Sequence, residues 1–203
     1  MAPQKLILAS ASPRRRELLV QLGVQFSVEV SDICEDMNVG ETPQAFVERV
    51  ARNKAVAIYN SLSIEQQHCV VMGGDTTVVL GEDVMGKPLD RLDALAMLAR
   101  LSGREHKVLT AVSVVGYKGE KSRLSETKVR FKSLSLRECE SYWSTGEPAD
   151  KAGAYGIQGL AAAFVESISG SYSGVVGLPL AETYELLQWA GISTGLDLAD
   201  SSD

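Results

Sequence analysis

Residues Leu6 to Leu19 read LILASASPRRRELL, and the order of residue types in this stretch decides how the chain begins to fold. Leu6, Ile7 and Leu8 form a short apolar run suited to a buried strand. Small residues follow (Ala9, Ser10, Ala11, Ser12), then Pro13, then an amphipathic helix carrying Leu18, Leu19 and Leu22 and stopped by Gly23. Ser12 is a good N-cap and Pro13 a good first helical residue. Arg14, Arg15 and Arg16 fit this start badly, because the first turn is the positive end of the helix dipole. Arg14 and Arg15 also precede Leu18 and Leu19 by three or four residues, which sets them near the inward face. Cations there, beside free backbone N–H groups and two serines, suit a bound anion, most simply a phosphate. The alternative is a solvated basic turn, and that is the reading for Arg16.

The 203 residues suffice for one large α/β domain or two small lobes. Hydrophobic content of 45% and charged content of 23% are ordinary for a soluble globular protein. A net charge of -6 argues against general nucleic-acid binding, which needs a basic footprint, but not against nucleotides, whose charge a local cluster can meet. Cys34, Cys69 and Cys139 are odd in number and far apart, so neither a zinc site nor a disulfide frame is suggested. His68 and His106 give little material for a histidine metal site or a Ser-His-Asp triad. No signal peptide precedes the first strand and no apolar run has transmembrane length. A cytoplasmic protein without a membrane partner is therefore expected.

Farther along, Gln25 to Val30 alternates like a strand and leads into an acidic loop with Asp32, Glu35 and Asp36. Thr42-Pro43 opens a helix to about Tyr59 whose inward stripe is Phe46, Val47, Val50, Ala51, Ala55 and Ile58. Lys54 lies on that stripe, where a lysine either snorkels to the edge or faces a buried anion. Cys69 to Met72 reads as a strand, Gly73-Gly74-Asp75-Thr76 as a glycine turn presenting a carboxylate, and Thr77 to Leu80 as a strand again. Lys87 is fixed just before Pro88. A third helix starts at Asp90, with Leu92, Leu95, Ala96, Leu98, Ala99 and Leu101 expected on its core side. A hairpin (His106 to Val115, then Leu124 to Phe131) and a short helix to Trp143 follow. Asp150 to Gly159, DKAGAYGIQG, is too small and polar for core and reads as a loop wrapping a ligand. Gln158 in it can read donors and acceptors on a base edge. Ser169 to Gly174 is another small-residue loop, and Pro179 to Ala190 the last helix. One domain over 1–193 and a loosely ordered tail over 194–203 are expected.

Taken together, four cations (Arg14, Arg15, Lys54, Lys87) sit on ordered elements and two acids (Glu35, Asp75) lie in loops at strand ends. That set suits a polyphosphate ester, with carboxylates for a divalent metal and a water, since Mg²⁺ takes one or two carboxylates plus substrate phosphates. No G-x-x-x-x-G-K-[ST] and no G-x-G-x-x-G opening a helix is present, which excludes a P-loop enzyme and argues against a dinucleotide fold.

At the level of motifs the chain resembles the Maf family of nucleoside triphosphate pyrophosphatases. The matching stretches are LASASPRR with ELL after it, ARNKA, GGDT, GKP, LSGREHKVLTAV, DKAGAYGIQG and GSYSGVVGLP, in family order over about residues 5 to 190. The DKAGAYGIQG version is similar to the bacterial subgroup acting on dTTP and UTP. The resemblance implies an elongated α/β fold shared with the inosine triphosphatases: a mixed sheet flanked by helices, with two lobes and a central cleft. It implies water attack at the α-phosphate, giving a nucleoside monophosphate and pyrophosphate, with Mg²⁺ or Mn²⁺. By match, Asp75 is the proton acceptor; Arg14, Thr76 and Gln158 fall where base specificity is set; and Ser10, Arg15, Glu35, Lys54 and Lys87 fall at the other polar site positions. Whether Asp75 or Glu35 is base or metal ligand stays open. Gly74 stands where Ala is commoner, a change expected to be harmless, and Gly86 precedes Lys87 where an acid is often found, so no metal role attaches there.

The family also forms dimers, and its name carries an association with septum formation. A nucleotide-binding regulator of cell division is therefore the rival reading; it would keep the cations and Gln158 but would not need Asp75. A nucleotidyltransferase or phosphatase with the same polyphosphate grip is a third. The substrate itself, a normal or a modified pyrimidine nucleotide, is not fixed by these residues.

Overall fold

A computed structural model describes residues 5–197 of the chain. In chain order the elements are β1 (Leu6–Ala9), α1 (Pro13–Gln21), β2 (Phe26–Glu29), α2 (Pro43–Ser61), β3 (Val70–Leu80), β4 (Asp83–Met85), α3 (Arg91–Leu101), β5 (Glu105–Gly116), β6 (Gly119–Phe131), α4 (Leu136–Trp143), β7 (Val165–Ser169), α5 (Tyr172–Val176) and α6 (Leu180–Ala190). Single 3₁₀ turns fill Glu147–Asp150, Ala152–Ala154 and Leu160–Phe164. The strands form one seven-stranded mixed sheet in the order β2-β1-β3-β5-β6-β7, with β4 paired to β3. This is the α/β class expected: a mixed sheet flanked by helices.

The expected glycine turn at Gly73–Thr76 is not a turn. β3 runs unbroken through it for eleven residues, because glycine in an extended conformation pairs as readily as any residue and Ala9 of β1 pairs with Gly73. The segment after Gly170 also differs from a plain loop: Tyr172–Val176 closes one helical turn, with the Ser171 hydroxyl accepting from the Gly174 amide at 3.0 Å. On α3 the buried residues are Ala94, Leu98 and Leu101, while Leu92 is 72% exposed. Leu92 lies in the first turn, one position off the stripe that the three buried residues define.

The described chain divides into two compact units, one built from residues up to Asp75, Thr110–Leu124 and Gly177 onward, the other from Thr76–Leu109 and Ser125–Val176. In the first, β1 lies parallel to both β2 and β3, and all four of its residues are buried. The face of α2 carrying Ala55 and Ile58 covers Ile7, Ala9, Val71 and Val115 in a continuous apolar cluster. Both α1 and α2 start as the sequence predicts, with Ser12 accepting from the Arg15 amide and Thr42 from the Ala45 amide. Of the expected tail, 198–203 lie outside the described residues. Thr194 is buried, and its amide and hydroxyl both donate to Asp197. Among the described residues no helix is long and apolar enough to cross a membrane.

In the second unit Phe131, Tyr142, Tyr155 and Phe164 form an edge-to-face aromatic chain, with His106 edge-on to both Phe131 and Tyr155. His106 is 2% exposed, and its Nε2 shares a 2.9 Å hydrogen bond with the Tyr155 hydroxyl. Burial pushes its pKa down from 6.5 to about 4. The unfolded chain therefore binds a proton that the native chain refuses, so the stability that neutral His106 contributes is present above pH 6.5 and is lost as pH falls towards 4. The expected loss is about 2 kcal/mol between pH 7.5 and pH 5. Urea midpoints of wild type and His106→Phe at the two values check it: the variant should be less stable at both, and its loss on acidification smaller by about that amount.

Candidate functional site

The first turn of α1 is built around Ser10 and Arg15. The Ser10 hydroxyl accepts from the Ser12 amide at 3.2 Å and from Nη1 of Arg15 at 3.1 Å, and Nε of Arg15 donates to the Gly177 carbonyl at 2.8 Å. Arg15 is buried, Arg14 half-buried and Arg16 exposed, its guanidinium turned back onto the Ala11 carbonyl. The three consecutive arginines thus take the three placements that the helix period demands, with the middle one aimed inward. A buried guanidinium needs acceptors, and the Ser10 hydroxyl and the Gly177 carbonyl are two of them, with Asp75 and Glu35 adding opposite charge.

Opposite that charge stands a second constellation. Lys54 does not snorkel: it is 8% exposed, and its Nζ donates to Oε2 of Glu35 at 2.8 Å and to Oδ1 of Asp75 at 3.0 Å. Its position follows from a close helix–strand approach. A Cβ on Gly73 would fall on the Ala51 carbonyl oxygen and 2.8 Å from the Ala55 amide nitrogen, so α2 lies directly on β3 with nothing between. Two residues along the strand, Asp75 is then within reach of Lys54. The neighbouring glycine has a different neighbour, since a Cβ on Gly74 would meet Nε of Arg15 at 3.1 Å. The glycines thus admit a helix backbone and a guanidinium.

Glu35 belongs to the acidic loop before α2, and that loop is strapped down by Arg49. Arg49 donates to both carboxylate oxygens of Glu41, at 2.6 and 2.7 Å, and to the Asp36 carbonyl at 2.8 Å. The Glu35 side chain stays 54% exposed, whereas that of Asp75 is 12% exposed. The two acids are therefore not equivalent. Burial raises the Asp75 pKa above its ordinary 3.8 despite Lys54 and Arg15, which pull it down. Burial likewise lowers that of Arg15, with Asp75 opposing. A raised aspartate beside two buried cations is the kind of arrangement that marks functional sites. It adds little stability, because burying charges costs about as much as pairing them returns.

Among the described residues no group of three or more His, Cys, Asp or Glu side chains could hold a metal unaided. The point that Glu35 and Asp75 share is taken by the Lys54 ammonium; their other carboxylate oxygens are hard donors of the kind Mg²⁺ or Mn²⁺ takes, and the remaining ligands would come from phosphate oxygens and water. The structure thus brings together Ser10, Arg15, Glu35, Lys54 and Asp75, with Arg14 on the same helix turn. Thr76 follows Asp75 on β3 as the first residue of the second unit and is half-buried. Lys87 and Gln158, also in that unit, are exposed.

The Maf-like protein family model matches residues 5–190 of this chain. The chain belongs to that family. Curated relatives include a dTTP/UTP pyrophosphatase of Hahella chejuensis, 52% identical over 194 residues, which are 96% of each chain. That of Colwellia psychrerythraea is 51% identical, covering 93% of this chain and 89% of its own, and that of Vibrio cholerae 50% identical, covering 92% and 98%.

Two contributors to this Maf-like site escape a reading of residue types. The Gly177 carbonyl is a backbone group; its signal is only the small-residue run GVVGLP. Arg49 is one more polar residue on a long helix, readable only by its pairing with Glu41 eight positions earlier. The unequal glycines give a test. Gly73→Ala must push α2 off β3 and should cost at least about 1–3 kcal/mol, read as a lowered urea midpoint. Gly74→Ala asks only a few tenths of an ångström from Nε of Arg15, a side chain held by Ser10 and Gly177, and should cost less than Gly73→Ala.

Proposed function

We propose that this chain is a nucleoside triphosphate pyrophosphatase acting on dTTP and UTP, normal or modified, by water attack at the α-phosphate. The observation that carries the reading is the Lys54 ammonium held between Glu35 and Asp75 beside a buried Arg15, in a chain about half identical to proteins named dTTP/UTP pyrophosphatase. Arg15, Lys54 and Lys87 bind phosphate oxygens, with Ser10 and the first turn of α1 holding Arg15 in place and adding N–H donors. Arg14, Thr76 and Gln158 meet the nucleoside, Gln158 through the base edge. Asp75 orients the attacking water and takes its proton; the raised pKa makes it a better base than an exposed aspartate. The proton moves from water to Asp75, the new P–O bond forms on the α-phosphorus, and the bond to the bridging oxygen breaks, so that pyrophosphate leaves. Glu35, with Asp75, is the side chain to hold a Mg²⁺ or Mn²⁺. Such an ion, when bound, supplies charge neutralisation on the phosphates and activation of water. The setting of the reading is the cytoplasm, with a single domain that is free to form a homodimer.

Pyrophosphate release from a panel of nucleoside triphosphates, with Mg²⁺ or Mn²⁺, tests the proposal. Preference for dTTP and UTP is expected, with kcat lowered at least ~10²-fold in Asp75→Asn. Orthophosphate as the product, or no turnover of any bound nucleotide with either metal, would overturn it; the second outcome leaves the cell-division regulator. The pH profile is a separate check. Because Asp75 must be ionised, kcat/KM should fall on the acid limb as this carboxylate takes up its proton. In Lys54→Met the loss of the neighbouring cation disfavours the carboxylate, so the limb should move to higher pH while the rate falls.

A further inference from the structure

Gln158 sits on a turn that the second unit holds from beneath. The Gly159 amide donates to the Gly156 carbonyl at 3.1 Å, closing a four-residue turn with Ile157 and Gln158 at its corners. Ile157 is 6% exposed and anchors the turn, while Gln158 is exposed. Both ends of the turn are tied to one pair of side chains. The Gly156 amide donates to the Tyr142 hydroxyl at 3.0 Å, and that hydroxyl donates to Oε1 of Glu147 at 2.7 Å. The other carboxylate oxygen, Oε2, accepts from the Leu160 amide at 3.0 Å. One carboxylate and one phenol thus fix the backbone on either side of Gln158.

The two glycines of the turn fit the same arrangement. A Cβ on Gly159 would overlap the Glu147 carboxylate, and a Cβ on Gly156 would come 2.7 Å from Cε of Lys151. Lys151 is itself held, its Nζ donating to the Glu147 carbonyl at 2.6 Å and to Asp150 at 2.7 Å. The turn therefore lies flat on the side chains of Glu147 and Lys151, and its own side chains are absent where it meets them. A flexible loop would need neither the glycines nor the paired hydrogen bonds. A side chain that must distinguish donors from acceptors on a flat ring does need a fixed backbone, since a misplaced amide pairs equally well with the wrong edge.

We infer that Tyr142 and Glu147 are positioning residues for nucleobase selection: they fix the Gly156–Leu160 turn so that Gln158 presents its amide in one orientation to a pyrimidine edge. The inference rests on the assignment of Gln158 to the base. Neither residue touches the substrate, so their removal acts on recognition and spares the chemical step.

The test compares Tyr142→Phe, Glu147→Gln and Gln158→Ala in pyrophosphate release from dTTP, UTP, dCTP and GTP, with kcat and KM separated. Tyr142→Phe keeps the ring and its edge-on contact with Phe164 at 5.2 Å, and loses only the hydroxyl. It should raise KM for dTTP and UTP ~10-fold, narrow their lead over GTP, leave kcat for dTTP within about twofold, and speed hydrogen exchange at the Gly156 amide. Gln158→Ala should narrow the same lead without changing that exchange. Glu147→Gln, which retains one carbonyl oxygen as acceptor, should fall between wild type and Tyr142→Phe; it also serves if Tyr142→Phe does not fold. A merely structural role would lower kcat for every nucleotide alike and leave the ratios unmoved, which overturns the inference. So does wild-type selectivity in both Tyr142→Phe and Glu147→Gln when Gln158→Ala has lost it. Wild-type selectivity in Gln158→Ala removes the assignment of Gln158 to the base, and the inference falls with it by a route the other two variants cannot produce.

Discussion

The ammonium of Lys54, shared between Glu35 and Asp75, is the interaction on which the candidate site depends. It joins three segments far apart in sequence: the acidic loop before α2, the middle of α2 itself, and the centre of β3. Its geometry is set by backbone before side chains enter, because α2 can reach β3 only where Gly73 presents no Cβ. Without that approach Lys54 would follow the common course of a lysine on an apolar stripe and reach for solvent.

Buried charge of this kind is costly. Removing an ion from water carries an effective penalty of several kcal/mol, and pairing offsets it only partly. The first unit accepts that cost at Arg15, Lys54 and Asp75, all at or below 9% exposure. It meets the cost with specific acceptors: Ser10 and Gly177 for Arg15, two carboxylates for Lys54. An arrangement that stability alone does not favour is readily understood if a polyanion completes it. The raised pKa of Asp75 comes from the same source, since the environment that penalises the carboxylate makes it hold a proton more firmly.

Much of this was legible in the sequence. Caps at Ser12, Thr42 and Asp90 are local features, and each helix starts where its cap predicts. The inward placement of Arg15 followed from counting back from Leu18 and Leu19. What could not be read is what depends on partners from elsewhere in the chain. Gly73 and Gly74 carry the same residue name, but one faces a helix backbone and the other a side chain, and periodicity does not distinguish them. Local propensity reads a glycine pair as a turn, whereas pairing with β1 and β5 keeps β3 extended. Leu92 looked like core by hydropathy and lies on the surface because the helix period, not the residue type, sets the face. Tyr142 and Glu147 gave no signal at all, since a tyrosine and a glutamate near a helix end are ordinary until the amides of Gly156 and Leu160 are seen to meet them.

The first unit is also discontinuous in a way that bears on how the protein is made. The Gly195 amide donates to the Leu22 carbonyl at 2.8 Å, at the end of α1, and Arg15 on the same helix finds its carbonyl acceptor at Gly177. A helix is therefore completed by a carbonyl 162 positions later in the chain. During synthesis the native seat of Arg15, with the anion site it would serve, can close only after translation of the region around residue 177 is finished.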